Sequence, residues 1–238
     1  MLKIIKEVFY KLKSSNILMF HHIDDGAIVQ KSGCVLSKNK FLEILDSGLE
    51  FAAVIDLVKH RYRNSGKCAI TFDDGLQDVY RVAYPELKKR NIPFTIFVVS
   101  NFIDCEGYIS SVQLKEMAND SLVTIGSHGV THELLKGMSI ANQHKELTES
   151  KTILERIVNK PIRLFAFSHG QFDRNTLRIL KRIKIYSYAF GVKGYPLNMI
   201  TKRKKYDLPR INCEDKYFNY KVVKKKSRYI LQNKFIKL

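Results

Sequence analysis

The chain has 238 residues, enough for one large domain, and its 45% hydrophobic and 27% charged residues are those of a folded protein rather than a disordered one. A formal net charge of +18 favours polyanionic surroundings: nucleic acid, an anionic membrane surface or an acidic glycan. Cys34, Cys68, Cys105 and Cys213 are widely scattered without a C-x-x-C pair, which argues against a disulfide framework and against a cysteine-built structural zinc site.

Residues 1–14 place Ile4, Ile5, Val8, Phe9 and Leu12 along one helical face beside lysines, a pattern that suits a membrane surface or packing on the body. Lys3, Lys6 and Glu7 interrupt the apolar core a signal peptide needs, and no window approaches the roughly 20 apolar residues of a bilayer span. A cytoplasmic location, peripheral at a membrane, is expected.

Short apolar runs then alternate with amphipathic stretches. Residues 16–20, 51–55, 68–72, 94–99, 122–126, 163–167 and 186–190 read as buried strands, and 38–49, 76–90, 111–119, 139–158 and 173–183 as helices. Ser139 with Asn142, and Asp173 with Thr176, offer side chains that take up free N–H groups at helix starts; Asn91-Ile92-Pro93 closes the second helix. This repeated β-α-β order predicts a parallel α/β architecture, an open sheet or a barrel, in one domain over 15–215. A basic tail over 216–238 carries Lys221, Lys224, Lys225, Lys226, Arg228, Lys234 and Lys237, and suits an anionic membrane or glycan.

In such architectures chemistry gathers at the C-terminal ends of strands. The strand over 68–72 runs directly into Asp73-Asp74-Gly75, and the strand over 122–126 into a segment with His128 and His132 four residues apart. Two imidazoles and one carboxylate can converge on a divalent cation and leave positions open for hydrolytic chemistry. A second Asp-Asp-Gly, Asp24-Asp25-Gly26, follows His21-His22 after the first strand and reads as turn chemistry, with substrate contact as the other reading and no second histidine cluster nearby to make it a metal site. His60 and His144 read as exposed polar positions.

Thr71-Phe72-Asp73-Asp74-Gly75 and His128-Gly129-Val130-Thr131-His132 together resemble the first two motifs of the NodB-type polysaccharide deacetylases, carbohydrate esterase family 4, in their biosynthetic subgroup. The resemblance covers roughly 15–215. It implies a distorted (β/α) barrel of about seven parallel strands, Asp73 as general base, and Asp74, His128 and His132 as ligands of a divalent metal, zinc before cobalt or nickel. The substrate it implies is an acetylated glycan or glycolipid carrying an N-acetyl or O-acetyl group.

Two departures stand out. The third family motif, roughly F-A-Y-P-Y-G, is here Phe165-Ala166-Phe167-Ser168-His169-Gly170, so the oxyanion-holding backbone position falls on His169. The late L-x-x-H motif that supplies the family's acid is absent, His169 being the last histidine. His169 and His21 are the two acid candidates. Arg210, in a Leu-Pro-Arg-Ile segment similar to one in the subgroup, pairs with Asp73 or touches substrate; Gly170 is the other substrate-binding candidate. Two other readings stand beside hydrolysis: a catalytically weak glycan-binding relative, and, ranked lower, a nucleic-acid-binding protein motivated by charge alone.

Overall fold

The computed structural model describes residues 15–26, 34–60, 66–201 and 204–214. The segment over 1–14 and the basic tail over 216–238 lie outside the described residues. In chain order the strands are β1 (Asn16–Phe20), β2 (His22–Asp24), β3 (Val35–Ser37), β4 (Glu50–Phe51), β5 (Lys67–Phe72), β6 (Phe94–Val98), β7 (Val123–Ser127), β8 (Leu164–Ala166), β9 (Tyr188–Phe190) and β10 (Ile211–Asn212). The helices are α1 (Lys38–Leu45), α2 (Val54–Lys59), α3 (Tyr84–Lys89), α4 (Ser111–Asn119), α5 (Ile140–Val158) and α6 (Arg174–Ile183).

Seven strands lie parallel in the order β10-β1-β5-β6-β7-β8-β9, with the two-residue β4 also paired to β5. The sheet curls until its two ends meet. Leu208, just before β10, bridges to Phe190 of β9, while Ile211 pairs with Leu18 of β1. The expected distorted barrel of about seven parallel strands is the observed architecture.

Strand alternation divides the apolar side chains into two cores. Leu18, Phe20, Ile70, Phe72, Phe94, Ile96 and Phe165 pack in a cluster with helix residues such as Leu114, Leu147, Leu154 and Leu180. Ile17, Ala69, Phe97, Leu164, Ala166 and Phe190 form a second cluster with Leu197 and Leu208. On β5 the second set continues as Ala69, Thr71, Asp73, so the same period of two that buries the strand aims Asp73 into the barrel interior.

Helix starts follow the expected chemistry: Ser139 Oγ accepts from Asn142 N–H, and Asp173 forms a reciprocal capping box with Thr176. Three expectations need correction. Residues 51–55 are not a strand: after Phe51 the chain turns into α2, because Val54, Leu57 and Val58 recur at helical spacing and bury one face. The helix expected over 76–90 begins with a π-helical turn at Val79–Ala83 before α3. Asp24 belongs to β2, paired with β3 in a separate two-stranded sheet, rather than to a loop; its carboxylate still accepts from Gly26 N–H at 2.7 Å, as a turn-forming aspartate does. Among the described residues no helix is long and apolar enough to cross a membrane.

Candidate active site

Five sequence-distant segments deliver their polar residues to one end of the barrel. His21 follows β1, Asp73 and Asp74 follow β5, His128 follows β7, His169 follows β8, and Arg210 and Glu214 flank β10. Phe20 and Phe72 are in register, and Asp73 N–H donates to the Phe20 carbonyl at 2.9 Å, so His21 and Asp73 leave the sheet side by side.

Asp73 is buried, and so is its partner. Arg210, with no exposed surface, donates Nη1–H to Oδ1 at 2.6 Å and Nη2–H to Oδ2 at 2.7 Å. The guanidinium also lies over the Phe97 ring, 5.2 Å from its centroid, and Nε–H donates to the Gly191 carbonyl at 3.2 Å. Burial by itself would raise the Asp73 carboxyl; the Arg210 charge, with His128 and His21, reverses that and holds it below the ordinary value, hence ionised. Arg210 is therefore not the substrate contact expected as one option. It is walled off inside the barrel and takes the other option, pairing with Asp73.

The next carboxylate has a different environment. Asp74 adopts φ 72° and Gly75 φ 78°, a turn that swings Asp74 away from the strand's alternation. A Cβ on Gly75 would stand 3.1 Å from Val98 Cγ1, so space and backbone both call for glycine there. Asp74 Oδ1 lies 3.1 Å from His132 Nε2 and 3.4 Å from His128 Nε2. Burial works to raise this carboxyl too, and the two imidazoles overcome it, leaving Asp74 far below the usual carboxylate range.

These three residues fit a divalent cation. Their ligand atoms all lie within 4.8 Å of one another, and Asp74 Oδ1 is buried without a hydrogen-bond partner, as an atom reserved for a metal would be. His128 Nδ1 lies 2.9 Å from the Ala166 carbonyl, so the proton belongs on Nδ1 and the Nε2 lone pair faces Asp74. One carboxylate and two imidazoles make a donor set suited to zinc with a position left open.

The loop bearing the histidines is clamped from α5. Glu146 accepts from Val130 N–H at 2.6 Å and Thr131 N–H at 3.2 Å through Oε2, and from Thr131 Oγ–H at 2.8 Å through Oε1. A Cβ on Gly129, at φ 90°, would approach Glu146 Oε2 to 2.8 Å. This residue escaped the reading of the sequence. The signal that could have found it is a glutamate on the helix stripe otherwise formed by Gln143, Leu147, Ser150, Leu154 and Val158, since a carboxylate on a buried face needs donors.

The two acid candidates part company here. His169 is exposed at φ 55°, its ring 4.5 Å from that of His132; burial and the neighbouring imidazole lower its proton affinity. His21 Nδ1 lies 3.2 Å from Glu214 Oε1. Burial again acts to lower it, but Glu214, Asp73 and Asp74 together raise it above the ordinary imidazole value. Glu214, 3% exposed, was not among the sequence candidates, and it lies far along the chain from His21. Gly170, the other substrate-binding candidate, donates its N–H to the Phe167 carbonyl at 2.8 Å, closing the turn that presents His169. His60 and His144 are exposed, as expected, and His22 pairs with Asp78 at 2.6 Å.

Comparison with known proteins agrees with this geometry. The family model described as polysaccharide deacetylase matches residues 60–188, which includes Asp73, Asp74, His128 and His132. A Bacillus subtilis protein named "Putative polysaccharide deacetylase YxkH" is 32% identical over 133 residues, 56% of this chain but only 46% of that protein. The poly-beta-1,6-N-acetyl-D-glucosamine N-deacetylase of Staphylococcus aureus is 28% identical over 249 aligned positions, covering 90% of this chain and 84% of the relative. A solved de-N-acetylase from Aggregatibacter actinomycetemcomitans superposes with a TM-score of 0.75 at 18% identity over 90% of this chain and 99% of that one, a likeness of fold. With more than half its length matched and the matched motifs folded into one site, the chain belongs to the polysaccharide deacetylase family.

Proposed function

We propose that the chain is a metal-dependent deacetylase that hydrolyses the N-acetyl group of an amino sugar within a glycan or glycolipid. The observation that carries this reading is the division of labour between adjacent carboxylates: Asp73 locked ionised by buried Arg210, Asp74 turned aside with two imidazoles. The name of the Staphylococcus aureus relative supports an N-acetylglucosamine polymer as the substrate class.

A divalent cation held by Asp74, His128 and His132, zinc before cobalt or nickel, would polarise the acetyl carbonyl and acidify the attacking water. Asp73 takes the water's proton; its salt bridge keeps the carboxylate both charged and oriented. His21, kept protonated by Glu214, donates to the departing amine. The backbone N–H of His169, presented by the turn after β8, is the donor for the developing oxyanion.

The test is acetate release from N-acetylglucosamine oligomers by zinc- or cobalt-loaded protein. Asp73→Asn should lose roughly 10²–10⁴-fold in rate, and Asp74→Ala should lose bound metal and activity together. Full acetate release by Asp74→Ala would overturn the proposal. Oligomer binding without turnover at any divalent metal would favour the glycan-binding reading, for which the Ser168-His169 replacement in the third motif is the motivation.

A further inference from the structure

Beside the catalytic cluster lies a second group with the chemistry of a metal site. His21 comes from the end of β1, Cys34 from the residue before β3, and Glu214 from the segment after β10. Their ligand atoms all lie within 4.8 Å of one another. His21 Nδ1 and Glu214 Oε1, 3.2 Å apart, are both buried without a well-formed hydrogen bond, and Glu214 is 97% buried by its 3% exposure. The withdrawn carboxylate thus faces an imidazole and a thiol at distances that one cation could bridge.

Backbone contacts hold the three segments in place. His22 N–H donates to the Cys34 carbonyl at 3.1 Å, Cys213 N–H to the Met19 carbonyl at 2.9 Å, and Glu214 N–H to Asn212 Oδ1 at 3.2 Å. One nitrogen, one sulfur and one oxygen donor make a set that favours zinc or another thiophilic divalent ion over magnesium or calcium, with a fourth position for water. Nothing in the deacetylation scheme uses Cys34, which is half-buried.

The geometry points to His21, Cys34 and Glu214 as a second, inhibitory site for zinc, occupied only after the Asp74–His128–His132 site is filled. The order follows from protons. A cysteine must give up its thiol proton to bind a cation, whereas a neutral imidazole binds through a lone pair, so a cation entering here displaces a proton that the two-imidazole site does not carry. Occupation would engage His21 Nδ1 and Glu214 together and so remove the proton donor from service. That consequence rests on the role proposed for His21; the existence of the site does not.

The experiment uses the full chain and Cys34→Ser, titrated with cobalt and with zinc. The wild type should take up a second equivalent of cobalt with a near-ultraviolet thiolate-to-cobalt charge-transfer band, which the first site, having no sulfur ligand, cannot produce. Cys34→Ser should keep the first equivalent and lose the band. Acetate release by the wild type should rise and then fall with zinc, the falling limb reaching about 10²-fold as a lost general acid would give, whereas Cys34→Ser should show only the rise. A single equivalent and no thiolate band in the wild type would overturn the site. A band with no inhibitory limb in an active enzyme would overturn the inhibitory role. If no form releases acetate, the deacetylase reading fails, and the cobalt spectrum still decides the site.

Discussion

Replacing Arg210 with methionine tests whether the buried pair organises this site. The substitution keeps much of the side chain's apolar bulk over Phe97 but strips both hydrogen bonds from Asp73, whose carboxylate is 2% exposed and cannot turn to water. Breaking a buried pair by removing one partner costs about 3–5 kcal/mol, because a charge is left uncompensated. For a domain of this size each kcal/mol moves the midpoint of thermal unfolding by about 2–4 °C, so Arg210→Met should unfold roughly 6–20 °C below wild type. The measurement is circular dichroism at pH 7 on chelator-treated proteins, which removes stabilisation by bound metal. The double variant Asp73→Asn/Arg210→Met is the discriminating control. With neither charge left in the barrel it should recover a large part of the loss, giving a coupling of more than about 1 kcal/mol in the cycle. A single variant within about 1 kcal/mol of wild type, or a double variant less stable than the sum of the singles, would refute the account.

Other outcomes follow from the same geometry. Glu146→Ala removes the acceptor of three bonds from the His128–His132 loop, and metal affinity measured by chelator competition should fall about 10–100-fold; unchanged affinity would show that the loop holds itself. Gly126→Ala places a Cβ 2.5 Å from the Phe97 ring and should cost about 1–3 kcal/mol in urea unfolding, with Phe97→Leu restoring some of it. The alkaline limb of the pH profile of acetate release should lie above the ordinary imidazole value of 6.5, because His21 retains its proton past that value. Glu214→Gln removes a charge that favours protonated His21, so the alkaline limb should move to lower pH while metal content at low zinc stays the same; an unmoved limb would take the acid role away from His21.

What the sequence determined by itself is what its local periodicities encode. Short continuous apolar runs between amphipathic stretches defined β1, β5, β6 and β7, and chain continuity then put Asp73-Asp74-Gly75 and His128–His132 at strand ends, where a parallel barrel collects its chemistry. Ser139 and Asp173 were readable for the same reason, since a capping side chain satisfies backbone groups two or three residues away. Residues 51–55 were misread because a short apolar run satisfies both periods, and only the burial of Val54, Leu57 and Val58 on one face chose the helix. Tertiary structure alone decided the partners. Arg210 meets Asp73 across 137 positions of sequence, Glu146 meets the histidine loop from a helix that follows it, and Glu214 and Cys34 reach His21 from opposite ends of the domain. Such contacts leave no period or spacing in the chain. They exist because the sheet curls until β9 meets the segment before β10, and closing that ring brings an otherwise uncompensated charge on Asp73 and the guanidinium of Arg210, the residue before β10, into the same dry interior.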